Sequence, residues 1–200
     1  MQIMLRYSNR YKQTIRAEYG KLQELITEDL LQVCREGKHI AVLGPAGSGK
    51  VSITTTIAER LGYSFTFSDD YVSDLSLPTD FRVNRLQVNN RGDYKTSIYH
   101  MLENVTNYKG NLIYAGMGVP RLLRAGLRDK NYVPDIVIVV ECNEITLEYS
   151  HNMRGHMHKL KHNLAAHKGN NKIINEWSSS LHKNLLLPYP TIFKIDTSIY

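Results

Sequence analysis

Gly44-Pro45-Ala46-Gly47-Ser48-Gly49-Lys50 follows the apolar run His39-Ile40-Ala41-Val42-Leu43 and precedes Ile53, Ile57 and Leu61, which recur every fourth residue. A β-like run, a glycine-rich loop and a helical face in that order form the context that a G-x-x-x-x-G-K phosphate loop requires. Its glycines let backbone N–H groups turn inward, and the helix start adds free amides and the positive end of a dipole. Lys50 then supplies a point charge for terminal phosphates. Gly62 stands where the helix should stop. The reading is a nucleotide-phosphate site made by Gly44, Pro45, Ala46, Gly47, Ser48, Gly49 and Lys50, continued by Val51 and Ser52.

The residue after such a lysine is normally Ser or Thr, whose hydroxyl holds Mg²⁺. Here it is Val51, with Ser52 one place later and about a quarter turn further round the helix. Either carboxylates and phosphates carry most of the metal, or the nucleotide site is weakened.

Outward from the loop, Tyr63-Ser64-Phe65-Thr66-Phe67 alternates as a second strand and runs into Ser68-Asp69-Asp70-Tyr71. Carboxylates at the carboxyl end of a strand sit where α/β sheets place ligands. Asp69 or Asp70 there can take a proton from an attacking hydroxyl or help hold Mg²⁺; an Asx turn or helix cap is the structural alternative. The polar segment 73–93 carries Arg82, Arg85 and Arg91, read either as flexible arginines for a second substrate or as solvated surface. A helix follows over 94–107. A third strand, 111–115, leads to Gly116-Met117-Gly118-Val119-Pro120-Arg121. Ala115 holds the place where an NTPase commonly has a metal-supporting aspartate, leaving Asp69, Asp70 or Glu141 to coordinate. Arg121, Arg124 and Arg128 fall along one face of the next helix, as a phosphate clamp or a solvated row.

Residues 134–140 form a near-continuous apolar run, as in a parallel strand buried on both faces, ending at Glu141. Residues 151–175 contain no acid but hold Arg154, four lysines and five histidines. A mobile basic lid fits this composition, because lids exclude water and bring charge to a transferring phosphoryl group. Arg154 is its candidate for that role, since a guanidinium fits phosphate bidentately. A last helix over 172–184 and a fifth strand over 191–195 complete the chain. At the other end, residues 11–36 read as one helix stopped by Gly37, its front made basic by Arg6, Arg10, Lys12 and Arg16.

Length and composition set the frame. Two hundred residues, 42% of them hydrophobic, suit one soluble globular domain over 1–200. Its parts are a helical extension, 1–37, and a lid-like segment, 151–175. No apolar run reaches the roughly 20 residues of a membrane span, and no secretory signal is visible. Cys34 and Cys142 fit no metal or redox spacing, and so few cysteines suit a reducing cytoplasm. A net charge of +6 favours polyanionic partners, phosphorylated small molecules or nucleic acid. Five β-like runs alternating with helices imply a three-layer α/β/α P-loop NTPase fold with a mostly parallel five-stranded sheet and an extra N-terminal helix.

Over about 40–195 the chain resembles the P-loop nucleoside and nucleotide kinases. Ser68-Asp69-Asp70-Tyr71 is similar to the Asp-Asp-Phe-Tyr segment of uridine-kinase-like enzymes, which implies that Asp70 activates the acceptor hydroxyl. Gly116 to Arg121 resembles a loosened Asp-Gly-Phe-Pro-Arg segment of adenylate-kinase-like enzymes, which implies acceptor binding by Arg121. The likeness implies transfer of the γ-phosphoryl of ATP. Lys50 holds the donor, and Asp69, Ser52 or Glu141 helps place Mg²⁺. Asp69, Arg82, Arg85 and Arg121 meet the substrate, and Arg154 neutralises developing charge. The acceptor is a nucleoside, a nucleotide or a modified base in DNA. The basic surplus favours the last, as in phage-type 5-hydroxymethyluracil DNA kinases, with the host cytoplasm as the location. A nucleotide-binding regulatory or nucleic-acid-binding module without phosphoryl transfer is the alternative.

Overall fold

A computed structural model describes residues 24–73, 84–153, 155–183 and 187–198. Five strands carry the fold: β1 (His39–Leu43), β2 (Ser64–Phe67), β3 (Leu112–Ala115), β4 (Ile136–Glu141) and β5 (Thr191–Asp196). They form one sheet in the order β2-β3-β1-β4-β5, and every pairing is parallel. The helices are α1 (Glu28–Glu36), α2 (Lys50–Leu61), α3 (Tyr94–Asn107), α4 (Val119–Lys130), α5 (Glu144–Met153) and α6 (Met157–Lys183). The helices cover both faces of this sheet, a three-layer α/β/α arrangement.

Strand alternation builds the layers. Ile40, Val42, Ile113, Ile136, Ile138 and Val140 point to one face, packing against Leu30, Leu31 and Cys34 of α1 and Ile53 and Ile57 of α2. Ala41, Leu43, Leu112, Tyr114 and Val137 point to the other. They meet α3 through Met101, α4 through Leu122 and Leu123, and α6 through Trp177 and Leu181. β1 is central: the chain goes from it to β2 and back to β3 on one side, then crosses to β4 and β5 on the other. The carboxyl end of β1 is therefore the switch point at which open α/β sheets bind ligands.

Two expected elements differ. The helix expected over 11–36 does not run unbroken to Glu36, because the chain turns at Leu25 and Ile26 and α1 starts afresh at Glu28. Thr27 caps it by accepting from Leu30 N–H at 3.3 Å, with Glu28 and Asp29 in the first turn, where the dipole favours acids. Residues 1–23 of that expectation lie outside the described residues. The separate lid and last helix are instead one 27-residue helix, α6. Asn170, Trp177 and Leu181 recur on its inner face and are buried, so the sheet holds its second half rather than releasing it.

Candidate active site

The phosphate loop leaves β1 and enters α2 through Gly47 and Gly49, at φ +91° and +86°. An L side chain is strained at those angles, whereas glycine is not. These glycines set the turn that carries the chain from β1 into α2. Ser48 is 1% exposed, and its Oγ has no hydrogen-bond partner among the described residues. A buried hydroxyl without a partner is unfavourable unless a ligand supplies one. Lys50 is buried too, and its Nζ donates to the Pro45 carbonyl at 2.5 Å, holding the ammonium across the loop mouth. The donor set therefore fits a polyphosphate: an orphaned hydroxyl and a lysine at the start of a helix, whose first amides lack intrahelical partners.

Three neighbours brace the loop. Thr197, just after β5, donates through Oγ1 to the Ser48 carbonyl at 3.0 Å and the Glu141 carbonyl at 3.2 Å. Asn143 caps α5 by accepting from Thr146 N–H at 2.8 Å, and α5 brings Ser150 and His151 against Gly47. His151 is buried. Its Nδ1 lies 2.8 Å from the Leu147 carbonyl, which can only accept, so Nε2 accepts from the Asn163 amide of α6, also at 2.8 Å. Further along α6, Asn170 donates to the Met117 carbonyl at 3.1 Å. Between those two, burial first and then the Lys50 charge lower the pKa of His167. Cys142 lies on the same rim. Burial pushes its thiol up to about 11, against a smaller opposing pull from Lys50, so it is no nucleophile near neutral pH.

The sequence anticipated none of Thr197, His151, Asn163 and His167. Thr197 had the one usable signal, its place just beyond the carboxyl end of a strand. The other three depend on how α5 and α6 fold back.

The second half of the site is the end of β2. Asp70 is 1% exposed, and both its oxygens are engaged. Oδ2 accepts from Phe67 N–H at 2.9 Å, Thr66 Oγ1 at 3.2 Å and Arg85 Nε at 3.3 Å, while Arg85 Nη2 pairs with Oδ1. Arg85 is placed by its own backbone, because residues 84 to 86 bridge to Phe65 at the sheet edge. Its guanidinium also lies 5.4 Å from the Phe67 ring centre. The flexible substrate arginine expected at 85 is thus a fixed internal counter-ion. Arg91 donates to the Asp70 carbonyl at 3.0 Å. Asp69, by contrast, is exposed, its Oδ1 accepting from Ser68 Oγ at 3.3 Å. Ser68 in turn ties β2 to the loop after β3, accepting from Gly118 N–H at 3.3 Å.

The remaining candidates lie apart from this pair. Arg121 donates to the Tyr94 hydroxyl at 2.9 Å and covers that ring at 5.3 Å, on the surface between α3 and α4. Arg124 pairs with Glu176 of α6 at 3.5 Å and Arg128 with Asp129 at 2.5 Å, so the expected clamp row already has protein partners. Glu141 pairs with Lys194 at 3.0 Å on the exposed rim. Val51 is 56% exposed, and Ser52 beside it is half-buried. No group of three or more His, Cys, Asp or Glu residues among the described residues is arranged to hold a metal ion. Ser52, at the start of α2, and the exposed Asp69, at the end of β2, are separate oxygen-bearing side chains rather than a formed metal site. Arg82 and Arg154 lie outside the described residues.

No family model matches the sequence, and no curated protein matches it. Similar solved structures include a gluconokinase from Sinorhizobium meliloti 1021, 16% identical with a TM-score of 0.46, covering 80% of this chain and 82% of that one. A deoxyadenosine kinase from M. mycoides with bound dCTP is 16% identical with a TM-score of 0.41, covering 80% and 90%. A shikimate kinase from Acinetobacter baumannii in complex with shikimate is 15% identical with a TM-score of 0.39, covering 74% and 95%.

Proposed function

We propose that this chain is a P-loop phosphotransferase that moves the γ-phosphoryl group of ATP to an acceptor hydroxyl. The observation that carries the reading is the phosphate loop, where left-handed glycines, the unpartnered Ser48 hydroxyl and Lys50 converge at the sheet's switch point. Bound phosphate would replace the Pro45 carbonyl as the partner of Lys50 and provide the one Ser48 lacks. The loop amides and α2 would hold the charge in place, so that catalysis is largely positioning and electrostatic stabilisation. When bound, Mg²⁺ would neutralise phosphate charge, with Ser52 as a protein donor and phosphate oxygens and water completing its shell.

The acceptor end is the terminus of β2. Both oxygens of Asp70 are occupied by Phe67 N–H, Thr66 and Arg85, and the residue is 1% exposed, so neither oxygen faces an incoming hydroxyl. Asp69 is therefore the better base, and Asp70 with Arg85 fixes the platform that presents it. This replaces Asp70 as the first choice for that role. Arg121 and Arg91 are the cations on the acceptor side, and Arg154 is the candidate to neutralise charge on the transferring group.

Within this reading the acceptor is a hydroxymethylated pyrimidine in DNA, 5-hydroxymethyluracil being the specific case. The chain's net charge of +6 supports a polyanionic substrate, and a base in a duplex would have to be flipped out to reach Asp69. A second reading, a nucleotide-binding module without transfer, draws on Val51 in the metal-hydroxyl position and on the engaged Asp70.

One assay separates these readings. The protein is incubated with γ-labelled ATP and three acceptor pools: nucleosides, nucleoside monophosphates, and DNA with or without hydroxymethylated pyrimidines. Label in hydroxymethylated DNA alone is the expected result. Label in another pool keeps the transferase and changes the acceptor, whereas label released as free phosphate or left on ATP favours the binding module.

A further inference from the structure

Positive charge is concentrated on two packed helices. Helix α4 carries Arg121, Arg124, Arg128 and Lys130 against one acid, Asp129. Helix α6 carries Lys159, Lys161, Lys168, Lys172 and Lys183 against one acid, Glu176. The two helices together hold a surplus of seven, one more than the net +6 of the whole chain. All other residues combined are slightly acidic.

The charge on α6 is also ordered. Lys161, Lys168, Lys172 and Lys183 fall on one face at 100° per residue, opposite the buried Asn170, Trp177 and Leu181. From Lys161 to Lys183 that face runs about 33 Å at 1.5 Å per residue. Between the lysines stand Asn171, Asn175, Ser179 and Ser180, short neutral side chains that donate hydrogen bonds, all four of them sharing one surface with Lys168, Lys172 and Lys183. This surface is open and lies along α6, away from the phosphate loop. The one acid on this face, Glu176, is paired with Arg124 of α4, which joins the two basic surfaces.

We infer that this face of α6, extended by α4, is a docking track for the phosphodiester backbone of a nucleic acid. A linear polyanion matches a linear row of cations with amide and hydroxyl donors between them, and such contacts position the partner without reading its sequence. A membrane surface does not match. An interfacial helix needs an apolar face to insert, yet the apolar face of α6 is spent on the core. Among the described residues, the large exposed hydrophobics include none on α6 beyond Met157 at its first position. The inference deepens the DNA-acceptor reading and rests on it for the choice of partner, but its readout is binding, so loss of docking and loss of transfer are separate results.

The test compares the parent protein with a Lys168→Gln, Lys172→Gln, Lys183→Gln variant. Fluorescence anisotropy with a labelled 20-base-pair duplex is followed from 50 to 300 mM salt. Binding of a fluorescent ATP analogue and a thermal melt serve as controls. The parent should bind with a log–log salt slope set by its phosphate contacts. The variant should bind at least about 30-fold more weakly at 0.1 M salt with a slope shallower by about 2.7, at roughly 0.9 per lost contact. Its ATP-analogue affinity and melting temperature should match the parent's. Equal duplex affinity and slope in the two proteins would overturn the inference. So would a parent that binds no duplex at 50 mM salt, or one that binds vesicles of phosphatidylserine and phosphatidylcholine but not DNA.

Discussion

Asp70 and Arg85, fifteen residues apart in the chain, form a buried ion pair that closes the end of β2. Their side chains are 2% and 10% exposed, so each is the other's replacement for water. Breaking such a pair from one side leaves an uncompensated buried charge, at about 3–5 kcal/mol. Asp70→Asn should therefore lower stability by roughly 3 kcal/mol, read as a shift in the urea midpoint. Asp69→Asn, at an exposed position, should change stability by less than about 0.5 kcal/mol but reduce transfer at least about 100-fold. The opposite pattern, a stable but inactive Asp70→Asn and an active Asp69→Asn, would return the proton-accepting role to Asp70.

Lys50 lies across the phosphate loop on the Pro45 carbonyl. Lys50→Met keeps most of the side-chain volume and removes the ammonium. ATP-analogue affinity or turnover should drop about 100-fold, the scale expected for a lost transition-state charge contact. Equilibrium titration with the analogue separates the two effects. Unchanged binding and unchanged turnover would remove the foundation of the phosphotransferase reading.

Gly116 and Ser68 come together where β3 meets the end of β2. A Cβ at Gly116 would lie 2.1 Å from Ser68 Oγ and 2.9 Å from Ser68 Cβ, and Gly116 has φ +134°. Gly116→Ala should destabilise by two separable amounts, about 1–3 kcal/mol of backbone strain plus the clash. Adding Ser68→Gly removes the clashing atoms and leaves the strain. The double variant should thus lose less stability than the two single losses added together, a coupling readable in a mutant cycle of urea midpoints. Strict additivity would mean that the two loops do not press on each other.

Much of this was legible in the sequence, and what was missed has physical reasons. The glycine loop, Gly62, the alternation on β1 and the helix over 94–107 are local signals, each set by neighbours within a few residues. The structure places them where the sequence does. Asp70 and Arg85 could each be seen as charged, but their pairing depends on segment 84–86 returning to the edge of β2, and nothing local reports that. The lysines of α6 read as a lid because composition shows charge without direction. Only the buried Trp177 and Leu181 reveal that one side of the helix belongs to the core.

His39 connects stability to pH. Its Nε2 lies 3.2 Å from the Tyr108 carbonyl, an acceptor only, so Nδ1 accepts from the Tyr132 hydroxyl at 3.1 Å, and Tyr132 OH lies 3.1 Å from Tyr114 OH. Burial lowers the pKa of His39 below its ordinary 6.5. The unfolded chain then takes up this proton first, and stability falls as pH drops below about 6.5 and through the folded value. His167, lowered by burial and by Lys50, acts in the same direction. Melting temperature should decline between pH 7 and pH 5, and His39→Gln should flatten part of that decline. A parent protein equally stable at both pH values would contradict the assignment of His39 as a neutral acceptor.

Val51 offers a test of the metal. It is the second residue of α2, 56% exposed, and occupies the place where a hydroxyl ordinarily reaches Mg²⁺. Threonine has nearly the same shape, and at an exposed site Val51→Thr should leave stability within about 0.5 kcal/mol. Any change in metal response can then be assigned to the added oxygen. If Ser52, water and the phosphates hold Mg²⁺ without that oxygen, supplying it adds a protein donor to a cation that binds few. The Mg²⁺ concentration giving half-maximal enhancement of ATP-analogue binding should fall several-fold, and the same shift should appear in turnover. A shift in turnover alone would mean that the hydroxyl acts on the reacting phosphate. No shift in either would mean that the metal sits away from the start of α2.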